Sequence, residues 1–334
     1  MVHINDRKLE SQGKLEIVRK VGERRITHVI HDIDGTHSLI RDWPPVMSLS
    51  IYHAITCGLS EDFDSDATVK RLIEQTGARP LPETDRFCVE SAGLSAITQM
   101  EFGIHRAIQE KCVPGEILGL LTDGNLEVNA EIIRRIWNGV ERFDDLHEPA
   151  ALAAFINERT PRLFRLYEAV LNGACRDRNT ADAWKNPEKW QVPGALEFMD
   201  YLHSIGLVNY FVTGAVIYPE GGMYEEVQSL RFEIGPGKMV EGIEGSSWDR
   251  KMPKDEVMKE LFARLGVRPE NALVIGDGRT EIKAGADMGC VVMSRLPRTA
   301  ARLRELHREL GAHYIVEDYV DPVFYELIAR GNAR

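Results

Sequence analysis

Two carboxylates stand two positions apart in the stretch Thr27-His28-Val29-Ile30-His31-Asp32-Ile33-Asp34-Gly35-Thr36. Ile26, Val29 and Ile30 supply the β-branched run of a buried strand, and the two aspartates follow where that run ends. In an extended chain this spacing puts both side chains on one face, about 7 Å apart along the backbone. Gly35 permits a sharp exit and Thr36 adds a hydroxyl. Two carboxylates kept together at a strand's C-terminal end repel each other, so a fold that holds them there usually supplies a cation. That end is also where open α/β sheets bind their ligands. Short acidic strand ends occur as well in receiver domains, in Ca²⁺ loops and in solvated turns capped by an aspartate.

Two further apolar stretches end in groups of related chemistry. Residues 207–212 lead to Thr213 and Gly214, and residues 272–275 lead to Gly276-Asp277-Gly278, with Glu281 one helical turn on. Lys251 and Lys254 precede the second of these strands. Each type has a use in phosphoryl transfer. A carboxylate can attack phosphorus and divide one hard step into two. A second carboxylate, protonated at the right moment, can donate to the leaving oxygen and later activate water. Mg²⁺ takes a few carboxylates together with waters and phosphate oxygens. A hydroxyl, backbone N–H groups and a lysine can hold the equatorial oxygens, where transition-state charge is spread.

The elements that must position these groups alternate. A helix with Pro193 just inside its start and an apolar stripe at Leu196, Phe198, Met199, Leu202 and Ile205 closes at Gly206 and passes into the strand 207–212. The strand 272–275, a helix running to Gly289, a strand 290–294, a helix 298–310 and a strand 313–316 complete the series. This predicts a Rossmann-like parallel sheet with helices on both faces, an α/β core. Residues 45–190 read differently. Helical spacing recurs over 67–77, 94–110, 126–143 and 150–171, and no stretch reads as a strong parallel strand. The expected organisation is a core of 1–44 and 190–334 interrupted by an inserted helical domain over 45–189. Residues 1–25 are a polar lead-in with a short strand at 15–18.

The order of these groups resembles the haloacid dehalogenase (HAD) superfamily. Its first motif is matched by Asp32-Ile33-Asp34-Gly35-Thr36, its second by Thr213-Gly214, its third by a lysine ahead of a helix, and its fourth by Gly276-Asp277-Gly278-Arg279-Thr280-Glu281. The resemblance covers about 25–45 and 190–320. It implies Asp32 as nucleophile, Asp34 as general acid and base, phosphate contacts from Gly35, Thr36 and Gly214, and Mg²⁺ held by Asp32, the Asp34 carbonyl and Asp277. It also implies that the insertion is a C1-type helical cap that selects substrate and closes over the site. Three positions depart from the pattern. Glu281 stands where aspartate is common, as a longer arm to a metal-bound water or as a first-turn acid favoured by the helix dipole. Arg279 could read substrate or pair with Glu281. His37 stands where leucine is frequent, which implies a more polar loop. Lys251 and Lys254 compete for the third motif. Glu101, His105 and Arg106 in the insertion are candidates for the substrate side, with a solvated helix face as the alternative.

The formal net charge of −11 argues against nucleic acid or an anionic membrane as main partner. It leaves a small phosphorylated metabolite open, held by a metal and a few local cations. Five dispersed cysteines without a Cys-x-x-Cys pair read as reduced thiols. With no apolar run of transmembrane length, they point to the cytoplasm. The insertion is longer than a plain cap needs, leaving room for substrate walls or a contact between copies of the chain. The expected activity is Mg²⁺-dependent hydrolysis of a small phosphate monoester through an aspartyl-phosphate. A phosphomutase of the same fold and a non-catalytic small-molecule binder are the alternatives.

Overall fold

A computed structural model of the chain describes all residues except 41–42, 79, 92, 219–220, 248–251 and 332–334. The chain divides into two units, one of Met1–Arg41, Thr180–Ser247 and Met252–Arg334, the other built on Asp42–Asn179.

The first unit is organised by ten short strands: β1 (Val2–Asn5), β2 (Leu15–Ile17), β3 (Glu23–Ile26), β4 (His28–His31), β5 (Val208–Val216), β6 (Gly242–Ser246), β7 (Ala272–Gly276), β8 (Val291–Arg295), β9 (Tyr314–Val316) and β10 (Ile328–Arg330). Seven of them form one sheet in the order β2-β9-β8-β7-β4-β5-β6. All neighbours run parallel except β2, which lies antiparallel to β9. Alternate side chains go to opposite faces. Val29, Phe211, Leu273, Ile275, Val291 and Met293 join one core with Phe198, Met199 and Leu202 of the helix Ala195–Ser204. Ile30, Tyr210, Val212 and Val274 join another with Val257, Met258, Leu261 and Phe262 of the helix Lys254–Leu265. Strands apolar on both sides need cover on both sides, and helices supply it. The α/β expectation therefore holds.

Several boundaries differ from the sequence reading. β5 does not stop before Thr213 but runs through it and Gly214 to Val216, with a register shift against β6 between Val212 and Val216. Gly245 of β6 makes this close approach feasible, since a Cβ there would lie 2.7 Å from the Ala215 carbonyl oxygen. Pro193 lies before its helix rather than inside it. Gly194 caps the helix at φ 77°, where a side chain would strike the Tyr319 backbone at 2.6 Å. The lead-in is more structured than expected: β1, β3 and β10 form a second, antiparallel sheet.

The second unit is helical. Its principal helices are Trp43–Thr56, Asp66–Gln75, Pro82–Glu90, Ala96–Gln109, Asp123–Trp137 and Ala150–Leu171. Phe87 and Phe102 stack at 3.7 Å between centroids, with Trp137 tilted against both. His105 is not on a solvated face. It is buried, and its Nδ1 lies 2.7 Å from Asn129 Oδ1. Arg106 is tied to Glu83 and Glu110. All five cysteines are free thiols. Among the described residues, no helix is long and apolar enough to cross a membrane.

One buried histidine of the first unit sets a pH dependence. His307, on the helix Ala301–Glu309, has its Nδ1 2.7 Å from Ser294 Oγ and leaves its Nε2 without a partner. Burial pushes its pKa down to about 4. The folded state thus resists a proton that the unfolded chain accepts below about pH 6.5, so stability present above that pH is lost as pH falls toward 4. The expected loss from this residue between pH 7 and pH 5 is about 2 kcal/mol. Urea unfolding at both pH values should show a flatter dependence in His307→Gln than in the wild type. An equal drop in both proteins would remove His307 from the account.

Candidate active site

β4 is where the sheet changes its direction of growth. The chain adds β5 and β6 on one side of it and β7, β8 and β9 on the other. Such a switch point opens a crevice at the C-terminal strand ends. Asp32 leaves β4 there, and its N–H donates to the Ile275 carbonyl of β7 at 2.9 Å. The next residues wind tightly, because the Ile33 carbonyl accepts from the N–H groups of Thr36, His37 and Ser38. Gly35 makes the reversal at φ 77°. The Thr36 hydroxyl comes back to Asp32 Oδ2 at 3.4 Å. Asp34 is half-buried on the same turn.

Lys254 is the first residue of its helix, and the apolar face behind it packs on the sheet. Its side chain is 4% exposed. The ammonium donates to Asp32 Oδ1 at 2.6 Å and to Glu281 Oε2 at 3.2 Å. Burial alone would lower its pKa, but the two carboxylates hold it above the ordinary lysine range. Glu281 sits in the first turn of the helix Arg279–Met288, and its Oε1 accepts from the Gly278 N–H at 2.5 Å. Burial pushes its carboxyl up; Lys254 opposes that shift and the Asp32 charge adds to it. Gly276 and Gly278 make this packing possible, since a Cβ at Gly276 would lie 2.3 Å from Glu281 Cγ.

Ligand atoms of Asp32, Asp277 and Glu281 all lie within 4.8 Å of one another. An all-oxygen, anionic set suits a hard divalent ion such as Mg²⁺. The missing side chain at Gly276 leaves the space that the Glu281 carboxylate fills beside this set. With an oxygen on Gly278 and the other on Lys254, Glu281 joins the first-turn acid and the metal-cluster acid in one residue.

The structure thus gathers Asp32, Thr36, Lys254, Asp277 and Glu281. Thr213 and Gly214 lie on the adjacent strand. The Thr213 hydroxyl accepts from the Ala215 N–H at 3.2 Å and, among the described residues, makes no hydrogen bond to Asp32. Lys251 lies outside the described residues. The turn after Asp32 is not more polar than usual, because His37 is fully buried among Phe211, Phe232 and Tyr319. Two residues that the sequence did not single out fix this turn from outside. Arg295 Nη1 donates to the Gly35 carbonyl at 3.0 Å, and Tyr319 OH to the Thr36 carbonyl at 3.1 Å. An arginine closing the buried strand Val291–Arg295 was a readable signal. Tyr319, beyond the last strand of the main sheet, gave none.

No family model matches the chain, and no curated protein matches it. Solved structures resemble it over most of its length. One is a provisionally assigned beta-phosphoglucomutase from Bacteroides vulgatus, 17% identical, with a TM-score of 0.47 over 89% of this chain and 86% of that one. Another is a provisionally assigned phosphoglycolate phosphatase from Lactobacillus delbrueckii, 17% identical, TM-score 0.47, over 92% and 100%. A third is a predicted phosphatase from Clostridium acetobutylicum, 13% identical, TM-score 0.46, over 91% and 98%. These likenesses are distant, and the functional reading rests on the chain's own residues.

Proposed function

We propose that the chain is a phosphatase of the HAD type that hydrolyses a small phosphorylated metabolite with Mg²⁺. One observation carries this reading. Asp32, at the switch point, is bonded to a buried lysine and clustered with Asp277 and Glu281. Crowded, buried carboxylates around one ammonium form a costly arrangement whose chemistry is that of a phosphoryl site.

In this reading an Asp32 oxygen attacks phosphorus, forming an O–P bond as the ester P–O bond breaks. Asp34 gives its proton to the leaving oxygen. Asp34 then takes a proton from the water that attacks the aspartyl-phosphate, and the breaking P–O bond returns the carboxylate of Asp32. Lys254 holds charge next to Asp32 throughout, and Thr36 orients it. Mg²⁺, when held by Asp32, Asp277 and the Asp34 carbonyl, supplies neutralising charge for the phosphoryl oxygens. Residues 1–44 and 190–334 act as the catalytic core and 45–189 as its cap. The division of the chain into two units supports that organisation.

The test is phosphate release from a panel of small monoesters with Mg²⁺ and with chelator. Release that needs the metal is the expected result, and the best ester names the substrate class. Isomerisation of a sugar monophosphate that needs an added sugar bisphosphate, with little free phosphate formed, would move the reading to a mutase. No release from any ester by folded protein with Mg²⁺ would overturn it.

A further inference from the structure

Behind Asp32 lies a chain of side-chain hydrogen bonds that the proposed chemistry does not use. Asn209 of β5 donates through Nδ2 to the Met239 carbonyl at 3.0 Å. Its amide is thereby oriented, and its Oδ1 is left to face His31 Nε2 at 3.2 Å. Only an Nε2–H on His31 satisfies that contact. The His31 Nδ1 lone pair then faces His37 Nε2 at 2.9 Å, so His37 must carry its proton on Nε2 as well. Both rings are fully buried. Burial keeps both neutral, His31 at a pKa of about 4 and His37 well below its ordinary value, with His31 and Arg295 adding to the shift of His37. His37 Nδ1 ends the chain without a partner. A bare buried nitrogen is a cost, and here it accompanies a ring that stacks on Tyr319 at 5.2 Å and 9°.

The two rings sit at either end of the reactive segment. His31 precedes Asp32 in β4, and His37 follows Thr36 at the close of the turn. Their contact joins strand to turn across the residues that carry the carboxylates and the Thr36 hydroxyl. We propose that His37 and His31 are positioning residues, locked in one tautomer by Asn209, that hold Asp32 and Thr36 in register for attack. This rests on the phosphatase reading. The alternative is packing alone, in which any apolar group of similar volume would serve at 37.

Two variants separate these. His37→Leu keeps the apolar contacts and deletes the donor; His37→Gln places an N–H near the lost Nε2. Misplacement of a reacting group by a fraction of an ångström to 1 Å costs up to about 10²-fold. The expected result is a fall of about tenfold or more in kcat for His37→Leu, with KM nearly unchanged, normal thermal unfolding and most of the rate restored in His37→Gln. Unchanged kcat in folded His37→Leu, or equal losses in both variants, would overturn the proposal. Imidazole ¹⁵N spectra of the wild type read the chain without turnover. Protons on Nε2 of both rings are expected, and a proton on either Nδ1 at neutral pH would overturn it. Lack of turnover by the wild type would instead strike the phosphatase reading.

Discussion

Asp32→Asn is expected to abolish phosphate release and to leave the protein folded. The amide has the carboxylate's shape, and its oxygen can still accept from Lys254, which sits 2.6 Å away. The buried ammonium is not orphaned, because Glu281 Oε2 remains 3.2 Å from it. The Thr36 hydroxyl also keeps an acceptor or donor partner at that position. What is lost is the anionic oxygen that attacks phosphorus, and an amide is a poor replacement. Loss of a covalent nucleophile elsewhere lowers kcat by about 10⁶-fold, and a drop of that order is expected here. Initial rates on the best monoester, with thermal unfolding as the control for folding, make the measurement. A drop of only a few-fold in a folded variant would take the nucleophile's role from Asp32, and Asp34→Asn would then be the next substitution.

The residues behind that prediction were legible because their signals are local. An apolar strand followed by Asp-x-Asp-Gly-Thr places its carboxylates at a strand end without knowledge of the rest of the fold. The same holds for Asp277, where Gly276 and Gly278 are demanded by the Glu281 side chain packed against them. Long amphipathic helices such as Ala150–Leu171 were equally readable from their spacing. The helix Trp43–Thr56 was not, since it is buried on most sides and shows no single stripe: Val46 to Ile51 are all buried. The strand Gly242–Ser246 was missed for a different reason. Its sequence Gly-Ile-Glu-Gly-Ser has one bulky apolar residue, and it exists because β5 offers it an edge.

Long-range partners explain most of what remained hidden in the site. Two lysines competed on equal terms in the sequence, Lys251 and Lys254, and only tertiary packing brings the Lys254 ammonium to Asp32 across 222 positions. His37 looked like a polar intrusion. Its burial depends on Phe211, Phe232 and Tyr319, which come from three distant segments. Arg295 and Tyr319 reach the turn through its carbonyls, a contact that no motif of the turn itself records.

Lys254→Met tests the electrostatics rather than the nucleophile. The substitution keeps length and packing and removes the only charge that the ammonium brings between Asp32 and Glu281. Loss of one preorganised donor at a reacting oxygen costs about 10²- to 10³-fold in kcat, and a loss at the upper end is expected because this donor touches the attacking group itself. Stability should fall too, by roughly 3–5 kcal/mol, since two buried carboxylates lose their shared cation. The pH dependence then separates this site from an ordinary ion pair. In the wild type the Lys254 pKa is raised on folding, so its contribution is fully present below about pH 10.5 and is lost as pH rises beyond it. In the variant that alkaline limb disappears. The Glu281 carboxyl, already pushed up by burial, loses the largest of the influences that lowered it and keeps only backbone N–H groups against that shift. It then takes a proton more readily in the folded state, so the variant regains stability as pH falls from neutrality toward the ordinary glutamate range. Mg²⁺ should act in the same direction by binding the folded carboxylates, and the variant's Tm should rise with Mg²⁺ more than the wild type's does. Denaturant unfolding at pH 5, 7 and about 11, the last above the ordinary lysine range, and a Mg²⁺ titration of Tm supply the data. A variant with wild-type turnover and an unchanged pH profile would show that the lysine is a structural tether, and the claim that its charge serves the reaction would fall.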